Sequence, residues 1–182
     1  ARIVGQTLQI DTRGQMLDNT GGTLAARGQA VLETGTLDNT AGLVQSAGHL
    51  RIDTHGRELI NAFTNGHADT GLVSGGAMSL HTGALVNDAG FIGAAGDLTV
   101  HSQAVANTGG ALVLAQSSLD LQATGLDNRT GQVQVAGSMT LDLGGGTLDN
   151  RASLLRAGQT LSITAGTIDN RDTLGSDRGL EP

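Results

Sequence analysis

The chain has no cysteine, tryptophan, tyrosine or lysine, only two phenylalanines, and a single proline that is the last of its 182 residues. Without cysteine there is no disulfide, no thiol nucleophile and no thiolate metal ligand, although this does not fix the compartment. The near absence of aromatics removes the platforms on which single-stranded bases stack. The formal net charge of −7 argues against the clustered cations that phosphates require, so no nucleic acid is expected as a partner. No apolar run approaches the roughly 18 residues of a spanning helix, so no membrane span is expected. The opening "ARIVGQTLQI" has neither the charged nor the apolar region of a signal peptide, so an export signal would lie outside these residues. Globular cores use aromatic rings to fill irregular space, and a chain nearly without them calls for a regular interior of aliphatic layers. The 29 glycines are spread evenly, which reads as frequent turns.

What is present is a repeat. Leu-Asp-Asn occurs at 17–19, 37–39, 126–128 and 148–150, with Ile168-Asp169-Asn170 as a near copy. Looser copies fill the gaps at Leu59-Ile60-Asn61, Leu85-Val86-Asn87 and Val105-Ala106-Asn107. The asparagines at 19, 39, 61, 87, 107, 128, 150 and 170 are separated by 20, 22, 26, 20, 21, 22 and 20 residues. Five residues after each asparagine stand Leu24, Val44, Ile92, Leu112, Val133 and Leu155, and eleven and thirteen after stand pairs such as Leu50 and Ile52 or Leu98 and Val100. Six extra residues after Asn61 move these columns to Leu72, Met78 and Leu80, and one extra serine after Asn107 moves the later ones to Leu119 and Leu121.

Apolar residues two apart, with polar residues between them, are the mark of strands with one face inward. Three short strands per period, separated by Gly, Ser, Thr and Asn, make a three-sided turn of chain, and identical turns stack in register at about 4.8 Å. No sustained helical stripe competes, there is no leucine-rich strand followed by a helix, and the Gly-Gly-x-Gly-x-Asp of calcium-binding rolls does not occur. The expected fold is an all-β, right-handed parallel β-helix with about 20–22 residues per coil and eight Asn-marked coils. It forms a single unit over 1–182, with an insertion loop at 62–71 and an irregular end at 171–182. Each asparagine lies two residues from an inward aliphatic residue and so faces inward at a corner. An unpartnered buried amide costs about 1–3 kcal/mol, so Asn19, Asn39, Asn61, Asn87, Asn107, Asn128, Asn150 and Asn170 are expected to form a hydrogen-bonded ladder that is architecture and not a binding site.

The run "LDNTGGTLAARGQAVLETGTLDNTAGLVQSAGHLRIDTHG" resembles the haemagglutinin repeat of filamentous haemagglutinin and of two-partner secretion exoproteins, including contact-dependent growth inhibition effectors. The likeness extends from Leu17 to Asn170. Residues 1–16 read as a partial coil, with Leu8 and Ile10 in the two later columns. The resemblance implies a segment of a long secreted or surface-displayed fibre of a Gram-negative bacterium, exported through an outer-membrane two-partner secretion transporter. It also implies contact with a host or target-cell receptor or glycan. The family's secretion-domain motifs and a toxin domain are absent, so the chain reads as a piece of a longer shaft.

Departures from the period are where a partner would be sought. The insertion carries Phe63, Asn65, His67 and Asp69, with Asn65-Gly66 suited to a tight turn, and forms the candidate recognition loop. His67 and Asp69 alone are too few for a metal site. The outward column Glu33, Asp53, His81, His101, Gln122, Asp142 and Thr164 reads as a solvated face of mixed charge that discourages lateral aggregation. Arg129, Arg151 and Arg171 follow their asparagines and form a candidate anion-binding column, while Asp127, Asp149 and Asp169 precede them and make ion-pair ladders the simpler reading. The carboxylates recur by period and do not converge, and there is no Gly-x-Ser-x-Gly elbow. No catalytic residue, metal or cofactor is assigned, and the chain is read as a non-enzyme.

Overall fold

The computed structural model describes residues 1–66 and 69–172. All its regular elements are strands, every pairing is parallel, and successive coils stack as a solenoid of three faces. One coil shows the plan: Leu37–Asp38 on the third face, then Leu43–Ser46 on the first and Leu50–Asp53 on the second. The first faces form an 8-stranded sheet, and the second and third faces together form a 14-stranded one. They join because two strands, Met78–Val86 and Leu98–Ala106, run without a break from the second face into the third. Among the described residues no helix is long and apolar enough to cross a membrane.

Register explains the core. Leu24 stands over Val44, Val44 over Leu72 and Leu72 over Ile92 on the first face. Leu32, Ile52, Leu80, Val100 and Leu121 stand over one another on the second, and Leu17, Leu37 and Leu59 on the third. Rows of like aliphatic residues at one spacing fill the interior without rings, and most of these side chains are fully buried.

The basic coil has 20 residues, and each longer step places its surplus at a corner. From Leu32 to Leu37 the chain takes five steps, but from Ile52 to Leu59, their partners in register, it takes seven. The two added residues, His55 and Gly56, both adopt positive φ (51° and 75°), as Arg13 and Gly14 do at the same corner of an earlier coil (54° and 74°). At both sites a threonine hydroxyl closes the turn on the carbonyl three residues on, Thr12 to Gln15 and Thr54 to Arg57. The six residues after Asn61 also enter at a corner, since Leu72 still pairs with Val44.

One column departs from the sequence reading. Val113, and not Leu112, is the inward residue after Asn107: it pairs with Ile92 and Val133, while Leu112 pairs with outward Phe91 and Gln132. The extra residue of that coil is therefore in the corner at Gly109-Gly110, where φ is 66° and 81°, and not the later serine. A residue inserted in a strand would reverse every side chain after it, whereas two left-handed glycines absorb it before the strand begins.

Candidate functional site

The asparagine corner is built from the bottom up by one left-handed residue. Two residues past each ladder asparagine, φ lies between 48° and 66° at Gly21, Ala41, Phe63, Ala89, Gly109, Thr130, Ala152 and Asp172. This reverses the chain and brings the next residue beside the amide. A Cβ on Gly131 would lie 2.7 Å from Asn107 Nδ2 and 2.8 Å from Asn128 Oδ1, closer than real Cβ atoms approach. Inside this corner the amides form seven successive hydrogen bonds, each Nδ2 donating to the Oδ1 of the next coil at 2.7–2.9 Å from Asn19 to Asn170. From Asn19 to Asn128 the second Nδ2 hydrogen goes to a backbone carbonyl, as from Asn61 to Phe91 at 2.8 Å and from Asn107 to Gln132 at 3.1 Å. Asn39, Asn61, Asn87 and Asn128 are fully buried, whereas Asn170 at the end of the row is exposed. Among the described residues no buried side-chain nitrogen or oxygen lacks a partner. The buried amides from Asn39 to Asn128 are engaged by each other and by backbone, which leaves them nothing to offer a ligand.

Sequence reasoning missed two further polar rows that close the other corners. Ser46 Oγ donates to Gly28 and His49 carbonyls at 2.7 and 2.9 Å, and Ser74 Oγ repeats this with Gly48 and Ala77. Thr34, Thr54 and Thr82 are buried at the third corner. The signal was a small hydroxyl residue seven or fifteen places past the asparagine once the six extra residues after Asn61 are subtracted, lost among the many Ser and Thr of the loops.

The recognition loop has an anchored base and an outer part. Thr64 is buried, and its Oγ1 accepts the Phe91 N–H at 2.8 Å; Asn65 N–H reaches the Ala89 carbonyl and its side chain the Gly110 carbonyl, each at 2.8 Å. The loop thus lies down over the corners of the next two coils. Phe63 is 58% exposed, Asp69 is exposed, and His67 lies outside the described residues.

In the outward column, His81 pairs in register with Asp53 and His101, and the two imidazole centroids are 5.3 Å apart. Asp53 accepts from Arg51 at 3.0 Å and from the His55 backbone at 2.9 Å. Among the described residues no three His, Asp or Glu are placed to hold a metal ion.

The arginine column is tied to its aspartates. Arg129, Arg151 and Arg171 each grip the aspartate two residues back through Nε and Nη2, with distances of 2.6–3.1 Å. Arg129 also approaches Asp149 at 3.6 Å and Arg151 approaches Asp169 at 3.5 Å, one coil on. Hydrogen bonds from the guanidinium groups hold Asp127, Asp149 and Asp169 below the usual carboxylate range, and the same bonds raise the three arginines. An added anion would meet a neutral ladder whose forks already face carboxylates.

The haemagglutinin-repeat family model matches residues 3–57, 61–115, 93–142 and 134–179, and the last three overlap in succession, as a unit that can be phased on any coil allows. No curated protein and no solved structure matches the chain. Register-stacked coils, a saturated amide ladder and four matches over nearly all of its length place the chain in the haemagglutinin repeat family, a structural family of filamentous, adhesin-like shafts of secreted or surface proteins.

Proposed function

We propose that this chain is a shaft segment of a bacterial exoprotein exported by an outer-membrane two-partner secretion transporter, and that its work is to hold a distal domain away from the cell. The observation that carries this reading is the continuity of the stack. Every coil passes its strands and its amide to the next, so bending or shearing the fibre would break the pairing on three faces and one ladder together. Eight coils at about 4.8 Å rise roughly 38 Å, and reach grows linearly with coil number. The parent is an adhesin or a growth-inhibition effector of a Gram-negative bacterium, both of which need such a spacer.

A second reading, recognition of a receptor or glycan by the insertion loop, is favoured by Phe63. A bulky ring stands in the left-handed region, where the equivalent positions carry Gly, Ala, Thr or Asp, and strain of this kind collects at functional sites. Removing residues 65–70 separates the two readings. It retains Thr64 at the corner and restores a 20-residue coil, so the fold should persist. A shaft predicts that the purified chain does not bind target cells saturably, with or without the loop. Saturable binding that disappears with the loop would replace the shaft reading by the recognition one.

A further inference from the structure

The residue before each ladder asparagine faces outward on the third face, and reads Asp18, Asp38, Ile60, Val86, Ala106, Asp127, Asp149 and Asp169. In the outer coils this aspartate closes the corner locally, since its Oδ1 accepts the backbone N–H two residues on, at 2.9 Å in Asp18 and Asp38, 3.1 Å in Asp127 and 3.3 Å in Asp149. Three consecutive central coils give this bond up for a half-buried apolar side chain that adds nothing to the core. Beside Val86, Ala106 and the next coil, Ala84, Ala104 and Gly125 keep the face low, and a shallow, mainly apolar groove runs from Val86 past Ala106 to Asp127 and Asp149. Exposed Phe63 stands at the adjoining corner, the one large hydrophobic residue exposed away from the terminal coils among those described.

We propose that this face docks a second copy of the chain, laid antiparallel about a two-fold axis at Val86. This goes beyond the shaft role and does not depend on it. A flat parallel-stranded face presents side chains at one fixed spacing, about 4.8 Å along the fibre, and an identical fibre has the same spacing, so rows can interlock over several coils. Charge sets the direction. A parallel pair would bring Asp18 and Asp38, which have no cationic partner among the described residues, against their own copies. An antiparallel pair instead sets Asp38 opposite the Asp127–Arg129 ion pair and Asp18 opposite the Asp149–Arg151 ion pair, which carry no net charge and do not repel them, because Asp38 stands two coils before Val86 and Asp127 two coils after it. The guanidinium groups use Nε and Nη2 on their own aspartates, and Nη1 has no hydrogen bond among the described residues. Asp88, near the axis, is drawn toward the following coil by Thr108 Oγ1 at 2.8 Å, so its two copies lean apart. The strip from Asp18 to Asp149 is roughly 29 Å long and one short strand wide. It is smaller than the ~800 Å² per partner of a standard interface, so the association is reversible and concentration-dependent.

Sedimentation of the wild-type chain over a concentration series should show a monomer–dimer equilibrium. Val86→Asp and Ile60→Asp install the residue that five other coils carry, so they should melt no lower than wild type. They should nonetheless weaken dimerisation about tenfold or more, some 1.4 kcal/mol. Phe63→Ala, a residue this left-handed corner already accepts at Ala41, Ala89 and Ala152, should weaken it without lowering the melting temperature. Orientation is read by spin labels at Met16→Cys or Thr147→Cys in this cysteine-free chain. Each label alone should give an intermolecular separation near 29 Å, whereas mixing the two variants should give a short one. A wild-type chain monomeric throughout the series, a dimer indifferent to Val86→Asp, or short distances within each singly labelled sample would overturn the proposal.

Discussion

Replacing Asn128 by leucine tests whether the ladder holds the fibre together. The two side chains are close in shape, so the perturbation is chemical. Asn128 is fully buried; its Oδ1 accepts from Asn107 at 2.7 Å, and its Nδ2 donates to Asn150 at 2.8 Å and to the Leu154 carbonyl at 3.4 Å. Leucine removes all three bonds and leaves one Asn107 hydrogen facing a methyl group. Asn107 keeps its bond to Gln132 and Asn150 keeps Ser153 at 2.6 Å, so one orphaned donor at about 1–3 kcal/mol and two lost bonds at roughly 0.5–1.5 each are partly offset by the apolar gain of leucine. The net expectation is about 2–4 kcal/mol. At roughly 2–4 °C per kcal/mol for a chain of this size, the melting temperature should fall by about 4–16 °C. Asn19→Leu is the control. Asn19 starts the row, donating to Asn39 and accepting from no amide among the described residues, so it should cost about half as much. Urea unfolding followed by circular dichroism measures both, with unchanged slopes showing that cooperativity survives. If Asn128→Leu lies within about 0.5 kcal/mol of wild type, or costs no more than Asn19→Leu, the ladder is ornament and the aliphatic rows alone carry the fibre.

Gly131→Ala should destabilise by about 1–3 kcal/mol or more, because the new Cβ presses on the backbone and amide of Asn107; Gly145→Ala, which meets nothing within 4 Å, should be nearly silent in the same melt. The arginine ladder should give an acid-sensitive contribution. Asp127, Asp149 and Asp169 are lowered by their arginines, so the folded state favours ionised carboxylates. That stability is fully present above the ordinary aspartate value of about 3.9 and is lost as pH falls through the lowered folded values. A triple Arg→Gln variant at 129, 151 and 171 should therefore melt below wild type by a constant margin from neutral pH to about 5, and the margin should close in stronger acid; a margin that grows in acid refutes the sign. Excising residues 88–107, one 20-residue coil, should leave a cooperative fold, whereas excising ten of them should not, because half a coil takes each strand off the face on which its neighbours pair.

By itself the sequence determined the period, the three strands, the parallel stack and the inward place of asparagine, because each follows from side-chain alternation and from columns that repeat in phase. The tertiary structure decided what local pattern leaves open. Leu112 and Val113 are equally apolar, and only the position of the left-handed Gly109-Gly110 corner tells which faces in. Alternation places Arg129 and Asp127 outward, but only side-chain geometry shows each fork closed on its own carboxylate, so that a column of three cations presents a neutral surface. The looser copies at Ile60, Val86 and Ala106 were legible as missing aspartates. That they form one continuous apolar strip beside Phe63 follows from stacking, which makes residues 20 to 26 apart in the chain into neighbours about 4.8 Å apart in space.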